Sequence, residues 1–314
     1  MEHEFEPTGY FNSFGSHERV LTIASGDRVR TSTADAFGHG RDGDPVAPPG
    51  NPLTGPFFVE DAEPGDMLVV RLESIVPNRD HGYTISSIAR HLVDADYTSE
   101  LPARERVTWL VDVGAGVATL LDEAASPREM LVELRPMLGC IGVAPAGEQA
   151  ISTATSGPYG GNMDYQGVEP GATVMLPVFM PGALLFVGDG HAVQGEGEIA
   201  GTGIEISMDV AFSVELVKSS ELLGAIRWPR METATYLIAL GNARPLDQAL
   251  QHATTELVRW LCAEHGYNTR GASHLLGQAA EYDIGNVFDP AYTIAAKISK
   301  VHVGDSRGDS LLDS

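Results

Sequence analysis

Between residues 204 and 216 the chain keeps a strict period of two. Ile204, Ile206, Met208, Val210, Phe212, Val214 and Leu216 fall on one side, and Glu205, Ser207, Asp209, Ser213 and Glu215 on the other. That period belongs to a β-strand with one buried face, because a helix would scatter the same apolar residues around its axis. A half-buried strand needs partners, so the chain must build a sheet whose polar side looks onto solvent or a polar cleft. The preceding two hundred residues supply the other strands. Glycines and prolines punctuate short apolar runs at residues 20–23, 65–72, 108–113, 117–121, 130–134, 173–178 and 184–187, all of strand length.

After Lys218 the texture changes. From Pro245 to Cys262, Leu246, Leu250, Ala253, Leu257, Trp260 and Leu261 recur at helical spacing, and Gly266 provides a stop. A second helix is expected over residues 270–280, capped by Asn268 or Thr269. Residues 291–303 return to strand texture, and the polar tail 304–314 reads as frayed. The reading is mainly β: a β-rich body over residues 1–217 that carries the site, with a smaller α+β portion over 218–314 packed on it.

Charge narrows the partners. The chain carries 43 Asp and Glu against 20 Lys and Arg, a formal charge of -23, with no polybasic tract. Nothing here would release counterions from a phosphate backbone, so nucleic acid is excluded as a partner. The first thirty residues hold acids and three arginines but no apolar secretory core. No apolar run approaches the roughly 20 residues a spanning helix needs, so no membrane is expected either. Cys140 and Cys262 form no CxxC pair, and a soluble cytoplasmic chain with reduced thiols is the expectation. Cys140, among Leu138, Ile141 and Val143, reads as a buried inert thiol rather than a nucleophile. His252, His265 and His274 read as structural or exposed.

The acids are unevenly placed. Residues 136–217 contain nine of them and no Lys or Arg, whereas the other 34 share the chain with all 20 bases. Inside that window two glycine-rich segments concentrate polar side chains: GGNMD at 160–164, with Asn162 and Asp164, and GDGHAVQGEGE at 188–198. The second holds Asp189, His191, Gln194, Glu196 and Glu198. Along an extended backbone Asp189 and His191 share a side, as do Glu196 and Glu198. Carboxylates gathered without bases repel by about 1 kcal/mol per pair in water at 4 Å, and by several-fold more when partly buried. They stay solvated and apart as acidic surface turns, retain protons, or hold a cation. Carboxylate oxygens with an imidazole nitrogen suit zinc or another divalent metal.

The same segments carry a family resemblance. GDGHAVQGEGE, preceded by GGNMD and LPVFMPGALLFVGD and followed by GTGIEI, resembles the acetamidase/formamidase family of metal-associated amidohydrolases. LGCIGVAP at 138–145 resembles its central block, TGPFFVEDAEPGDML at 54–68 its entry motif, and residues 31–40, with Asp35, a preceding segment. The likeness runs from about Val20 to Val303. In two departures, Gly190 stands where a larger apolar residue is commoner, loosening the turn, and Glu196 where Asp is commoner.

The resemblance implies a jelly-roll-like β-sandwich with a β-barrel-like part and a small C-terminal α+β element, assembled as a homodimer or larger homo-oligomer. It implies hydrolysis of a small amide to the acid and ammonia with a divalent metal, zinc or alternatively Ca²⁺. The expected metal ligands are His191, Asp189, Asp35 and His81. Glu198 is the expected general base, with Glu196 in reserve; Asn162 and Asp164 hold the substrate amide or orient the ligands, and Gln194 hydrogen-bonds the amide nitrogen. Two rivals stand beside this reading: a non-catalytic cation- or carbohydrate-binding β-sandwich with calcium held by oxygens alone, and an amidase that works without metal.

Overall fold

A computed structural model describes residues 1–122, 125 and 128–304, so the tail from 305 onward, expected to fray, lies outside the described residues. From residue 208 the alternating segment forms strand Met208–Val217 near one end of a nine-stranded sheet, while residues 204–207 precede it and Glu205 makes only isolated bridges. The strand order in that sheet is Glu2–Phe5, Arg28–Ser32, Met208–Val217, Met67–Pro77, Thr173–Pro177, Arg230–Glu232, Tyr236–Ala243, Tyr292–Ser299 and Glu281–Asn286. Only the first pair in that order is parallel. Against its inner face lies a six-stranded sheet: Ser156–Gly157, Gly160–Asn162, Met137–Gly142, Leu185–His191, Leu53–Val59 and Leu21–Ile23.

The two sheets share one core. Leu68, Val70, Val210 and Phe212 from the first pack with Phe57, Leu138, Ile141 and Val187 from the second, and the Phe57 and Phe212 rings meet edge-on at 5.5 Å. This is a β-sandwich, built because each sheet has one apolar face to remove from water. No closed barrel forms among the described residues. Strands Leu131–Glu133, Val117–Leu120, Arg106–Asp112 and His81–Ile85 make a four-stranded sheet whose His81–Ile85 edge is bridged through Tyr83 to Glu205.

The nine-stranded sheet runs straight through position 218: strand Arg230–Glu232 pairs with Thr173–Pro177, so the C-terminal portion extends the body's own sheet. On the outer face of its later strands lie helices Leu246–Glu264 and Thr269–Ala279. Ala249, Ala253, Leu257, Trp260 and Leu261 of the longer helix pack on Leu237, Ala239, Ile294 and Ile298. Leu250, expected on that face, is 40% exposed. The helix turns Ala249 inward instead, where Gly241 lets it approach: a Cβ on Gly241 would lie 2.1 Å from the Ala249 carbonyl oxygen. The shorter helix is capped as expected by Asn268, whose side chain accepts from Gly271 N–H at 2.9 Å.

Candidate active site

Strand Leu185–His191 is buried along its whole length, between Met137–Gly142 and Leu53–Val59. Asp189 and His191 are two residues apart and so project from the same face. Gly190 between them loosens nothing. It sits inside the strand, where a Cβ would come within 2.2 Å of Met208 Cγ and 2.8 Å of the Ile206 carbonyl oxygen. On the adjacent strand Gly139 forms the floor of the cluster. A Cβ there would lie 2.4 Å from Asp164 Oδ1 and 2.8 Å from Asp189 Oδ2. The Gly139 carbonyl accepts the N–H groups of both Met163 and Asp164 at 3.0 Å, which brings the GGNMD segment over the strand.

Backbone strain gathers at the same place. Asn51, Asp164, Asp189 and Glu198 all have φ between 44° and 56°. The left-handed region is tolerated by Asn and Asp but unusual for Glu, and it marks positions where surrounding structure dictates the backbone. The turn at Glu198 also separates the two glutamates expected to share a side. With φ of 81° at Gly197 and 46° at Glu198, Glu198 turns into the interior and Glu196 stays exposed.

Gln194 sets the orientation of His191. Its amide nitrogen donates to the carbonyls of Asp164 at 2.6 Å and Gly285 at 3.2 Å, so its oxygen must face His191 Nδ1 at 2.8 Å. Nδ1 therefore carries the hydrogen, and in the neutral ring Nε2 presents a lone pair. That lone pair faces Glu205 Oε1 at 3.1 Å and Asp189 Oδ1 at 3.5 Å, and it hydrogen-bonds to neither. Asp164 Oδ1, Asp189 Oδ1, His191 Nε2 and Glu205 Oε2 are all buried without a hydrogen-bond partner. Such orphaned atoms are costly unless a proton or a cation satisfies them.

The electrostatics say the same. Burial pushes Glu205 up to about 8; His191 pulls it down, and Asp189 adds to the rise. Burial and neighbouring carboxylates also raise Asp164 and Glu198 well above the usual range, with His191 again pulling the other way. For His191 burial opposes the charged form, but Glu205 and Asp189 outweigh it and raise the imidazole well above its ordinary value. The interior thus retains protons where positive charge is missing. Two donor sets, Asp164, His191 and Glu198, and Asp189, His191 and Glu205, each have ligand atoms within 4.8 Å of one another. Nitrogen and carboxylate oxygen donors converging this closely fit a divalent metal.

A net of amides surrounds these acids. Asn162 Nδ2 donates to Asp164 Oδ2 and Asp289 Oδ2, and Asn286 Nδ2 donates to Asp164, Asp289 and Glu198. Asn51 Nδ2 donates to Asn162 Oδ1 and to Asp189 Oδ2. Above the cluster opens a cavity of about 260 Å³, lined among others by Phe37, Asn51, Asn162, Asp189, Glu198, Thr202, Glu205 and Asp289, with no Lys or Arg in its lining. A larger recess of about 550 Å³ elsewhere, which Glu196 lines with Tyr165 and Lys297, contains none of the orphaned atoms.

Around this site the chain matches known proteins over most of its length. A profile of the acetamidase/formamidase family matches residues 18–148 and 116–297. The chain belongs to that family. It is similar to an acetamidase of Yersinia enterocolitica of known structure, with a TM-score of 0.83 and 31% identity, covering 97% of this chain and 93% of that one. Among sequences, it is 28% identical over 301 residues to a formamidase of Methylophilus methylotrophus, covering 76% of this chain and 73% of that protein. It is 27% identical over 216 residues to an acetamidase of Mycolicibacterium smegmatis, covering 53% of each, so the match spans about half the length of that relative.

Within this family member, two expected ligands stand outside the donor sets. Asp35 is wholly buried, but its carboxylate is occupied: Oδ2 by the buried Arg79 guanidinium, and Oδ1 by the N–H groups of Phe37 and His39 at 2.9 Å. His81 is half-buried, with Nδ1 2.9 Å from Asp80 and its ring against Tyr83. Asp35→Ala would leave a buried guanidinium unpaired, so unfolding free energy should fall by about 3–5 kcal/mol while metal content per folded chain stays unchanged. Denaturant unfolding with elemental analysis checks this. Loss of metal at unchanged stability would make Asp35 a ligand.

Four contributors had no place among the expected site residues: Asn51, Glu205, Asn286 and Asp289. Glu205 is carried in by a bridge that pairs its backbone with both Tyr83 and His191. Asn286 and Asp289 come from the far end of the chain, beyond the base-free window. The signal for Glu205 was present, since it lies on the polar side of the alternating run that the pattern turned toward solvent or a cleft.

Proposed function

We propose that this chain hydrolyses a small carboxylic amide to the acid and ammonia, using the cluster at the base of the 260 Å³ cavity. The observation that carries the reading is the set of four buried, unpartnered ligand atoms around His191 Nε2. His191, Asp189, Glu205 and Asp164 would hold a divalent cation, which supplies Lewis acidity and lowers the pKa of water within its reach. Zinc suits the mixture of imidazole and carboxylate; calcium, which takes six to eight oxygens, suits it less, and this weighs against the purely cation-binding alternative.

The chain's own groups do the remaining work. Gln194, with both ends of its amide engaged, keeps the His191 ring in one tautomer. Glu198 lines the cavity with its carboxylate steadied by Asn286, and burial with the nearby Asp289, Glu205 and Asp189 raises its pKa well above the usual carboxylate range, the direction a general base requires. It takes a proton from the attacking water as the C–O bond forms. It returns that proton to the nitrogen as the C–N bond breaks, and ammonia leaves. Asp289 and Asn162 face the cavity where the substrate's N–H groups need acceptors. A lining whose ionisable groups are all carboxylates, with no Lys or Arg, favours neutral amides over anionic ones. Cys140 takes no part: its thiol is buried, donates to the Thr153 carbonyl, and is raised by burial and by Asp189 and Asp164. A homodimer or larger assembly belongs to the same proposal, on the strength of the family resemblance.

Ammonia release from formamide, acetamide, propionamide and a cyclic amide, on protein of measured metal content, tests the reading. Release from at least one linear amide is expected, and none from any of them would end it.

Metal should also appear in stability. Glu205 binds its proton more tightly in the folded than in the unfolded chain. Its contribution is therefore complete below the unfolded value near 4.5 and lost as pH rises through about 8. The metal-stripped protein should lose this stabilisation as pH rises from about 5 to about 8, while bound cation replaces the departing protons. The Tm difference between loaded and stripped protein should widen across that interval. A gap independent of pH would contradict the cluster's role.

A further inference from the structure

The cavity wall is divided by chemistry. Carboxylates and amides occupy one part, whereas Ala36, Phe37, Pro49 and Ala154 supply the apolar part, and Phe37 is the one large side chain among these four. We propose that Phe37 sets the length of the acyl group that the site accepts; this rests on the amidase reading and adds a specificity-determining residue to it.

The two ends of an amide need different surroundings. Its nitrogen and carbonyl must lie among the polar groups at the cluster, so its acyl chain is left against the apolar wall. A cavity of about 260 Å³ is on the order of nine water volumes at about 30 Å³ each, more than the four heavy atoms of acetamide fill. Space therefore remains beyond an acetyl group, and the bulk of the apolar wall decides how much of it a longer chain can use.

Phe37 can act as a limit only if it is held, and it is. Its ring meets Tyr83 edge-on at 6.1 Å, and the Arg106 guanidinium lies over it at 5.4 Å while also covering Tyr83 at 4.6 Å. Its backbone N–H is tied to Asp35 Oδ1. Asp35 is clamped by Arg79, which also donates to the carbonyls of His81 at 2.7 Å, Gly40 at 3.2 Å and His39 at 3.3 Å. Asp35, which the sequence suggested as a metal ligand, thus positions the loop that carries the apolar wall through its buried ion pair with Arg79. A ring braced in this way cannot swing aside for a longer acyl group without breaking several contacts.

The test compares kcat/KM for acetamide, butyramide and hexanamide in the wild type, Phe37→Ala and Phe37→Trp. Each result is read as a ratio between substrates, so the fraction of active enzyme cancels. A methylene in an apolar pocket discriminates by about tenfold or more. Phe37→Ala should therefore raise the hexanamide-to-acetamide ratio at least about tenfold, and Phe37→Trp should lower the butyramide-to-acetamide ratio by a similar factor. Ratios unchanged within about twofold in both variants, with an active wild type, would overturn the role of Phe37 and leave the amidase reading standing. A wild type that releases ammonia from none of the three would overturn both.

Discussion

Replacing His191 with alanine is expected to lower kcat/KM for amide hydrolysis by about a thousandfold or more and to strip the protein of divalent metal. His191 belongs to both candidate donor sets, so no remaining trio keeps a nitrogen ligand. Each tenfold in rate corresponds to about 1.4 kcal/mol, and Lewis-acid stabilisation of several kcal/mol is what a bound cation contributes. The fold should survive. The ring lies against Gly203 and Gln194 at the end of a strand whose pairing with Met137–Gly142 and Leu53–Val59 does not depend on it. Circular dichroism and elemental analysis beside the assay separate loss of metal from loss of fold. Near-normal turnover in a folded variant would remove His191 from the mechanism.

Glu198→Gln is the second large effect, and it should differ in kind. The substitution keeps size and hydrogen bonding but removes the ability to accept a proton, so kcat should drop by about 10²- to 10⁴-fold while metal content stays at the wild-type level. In the wild type, activity should decline as pH falls through the raised pKa of Glu198, because protonation removes the base. The variant's residual activity should lack that acid limb. Glu198 also appears in one of the two donor sets. If the variant loses metal in step with activity, the carboxylate is a ligand and the base must be sought elsewhere in the cavity lining.

Local patterns made most of the fold legible. The alternation from 204 to 216 announced strand Met208–Val217 and its buried face, and the spacing after Pro245 announced helix Leu246–Glu264. Asp164, Asp189, His191, Gln194 and Glu198 converge as the base-free window suggested, because glycine-rich turns and a two-residue strand repeat are properties of short segments. What failed was non-local. Asp35 looked like an unattached carboxylate because nothing near it in sequence reveals Arg79, forty-four residues away, as its partner. Asn286 and Asp289 reach the cluster only through the pairing of Glu281–Asn286 with Tyr292–Ser299 at the sheet's far edge. Glu196 and Glu198 look equivalent along an extended backbone, and the left-handed turn at Gly197 makes one a surface residue and the other a buried acid. The sheet likewise crosses position 218 because strand pairing ignores the change in composition there.

The central claim is that the acids around His191 form a cation site that hydrolyses amides. Ammonia release during stepwise return of zinc to exhaustively chelated protein tests it most directly. Activity should be absent at the start, rise in proportion to bound metal and level off when the site is filled, with no such rise in His191→Ala. Full activity in the chelated wild type would contradict the account.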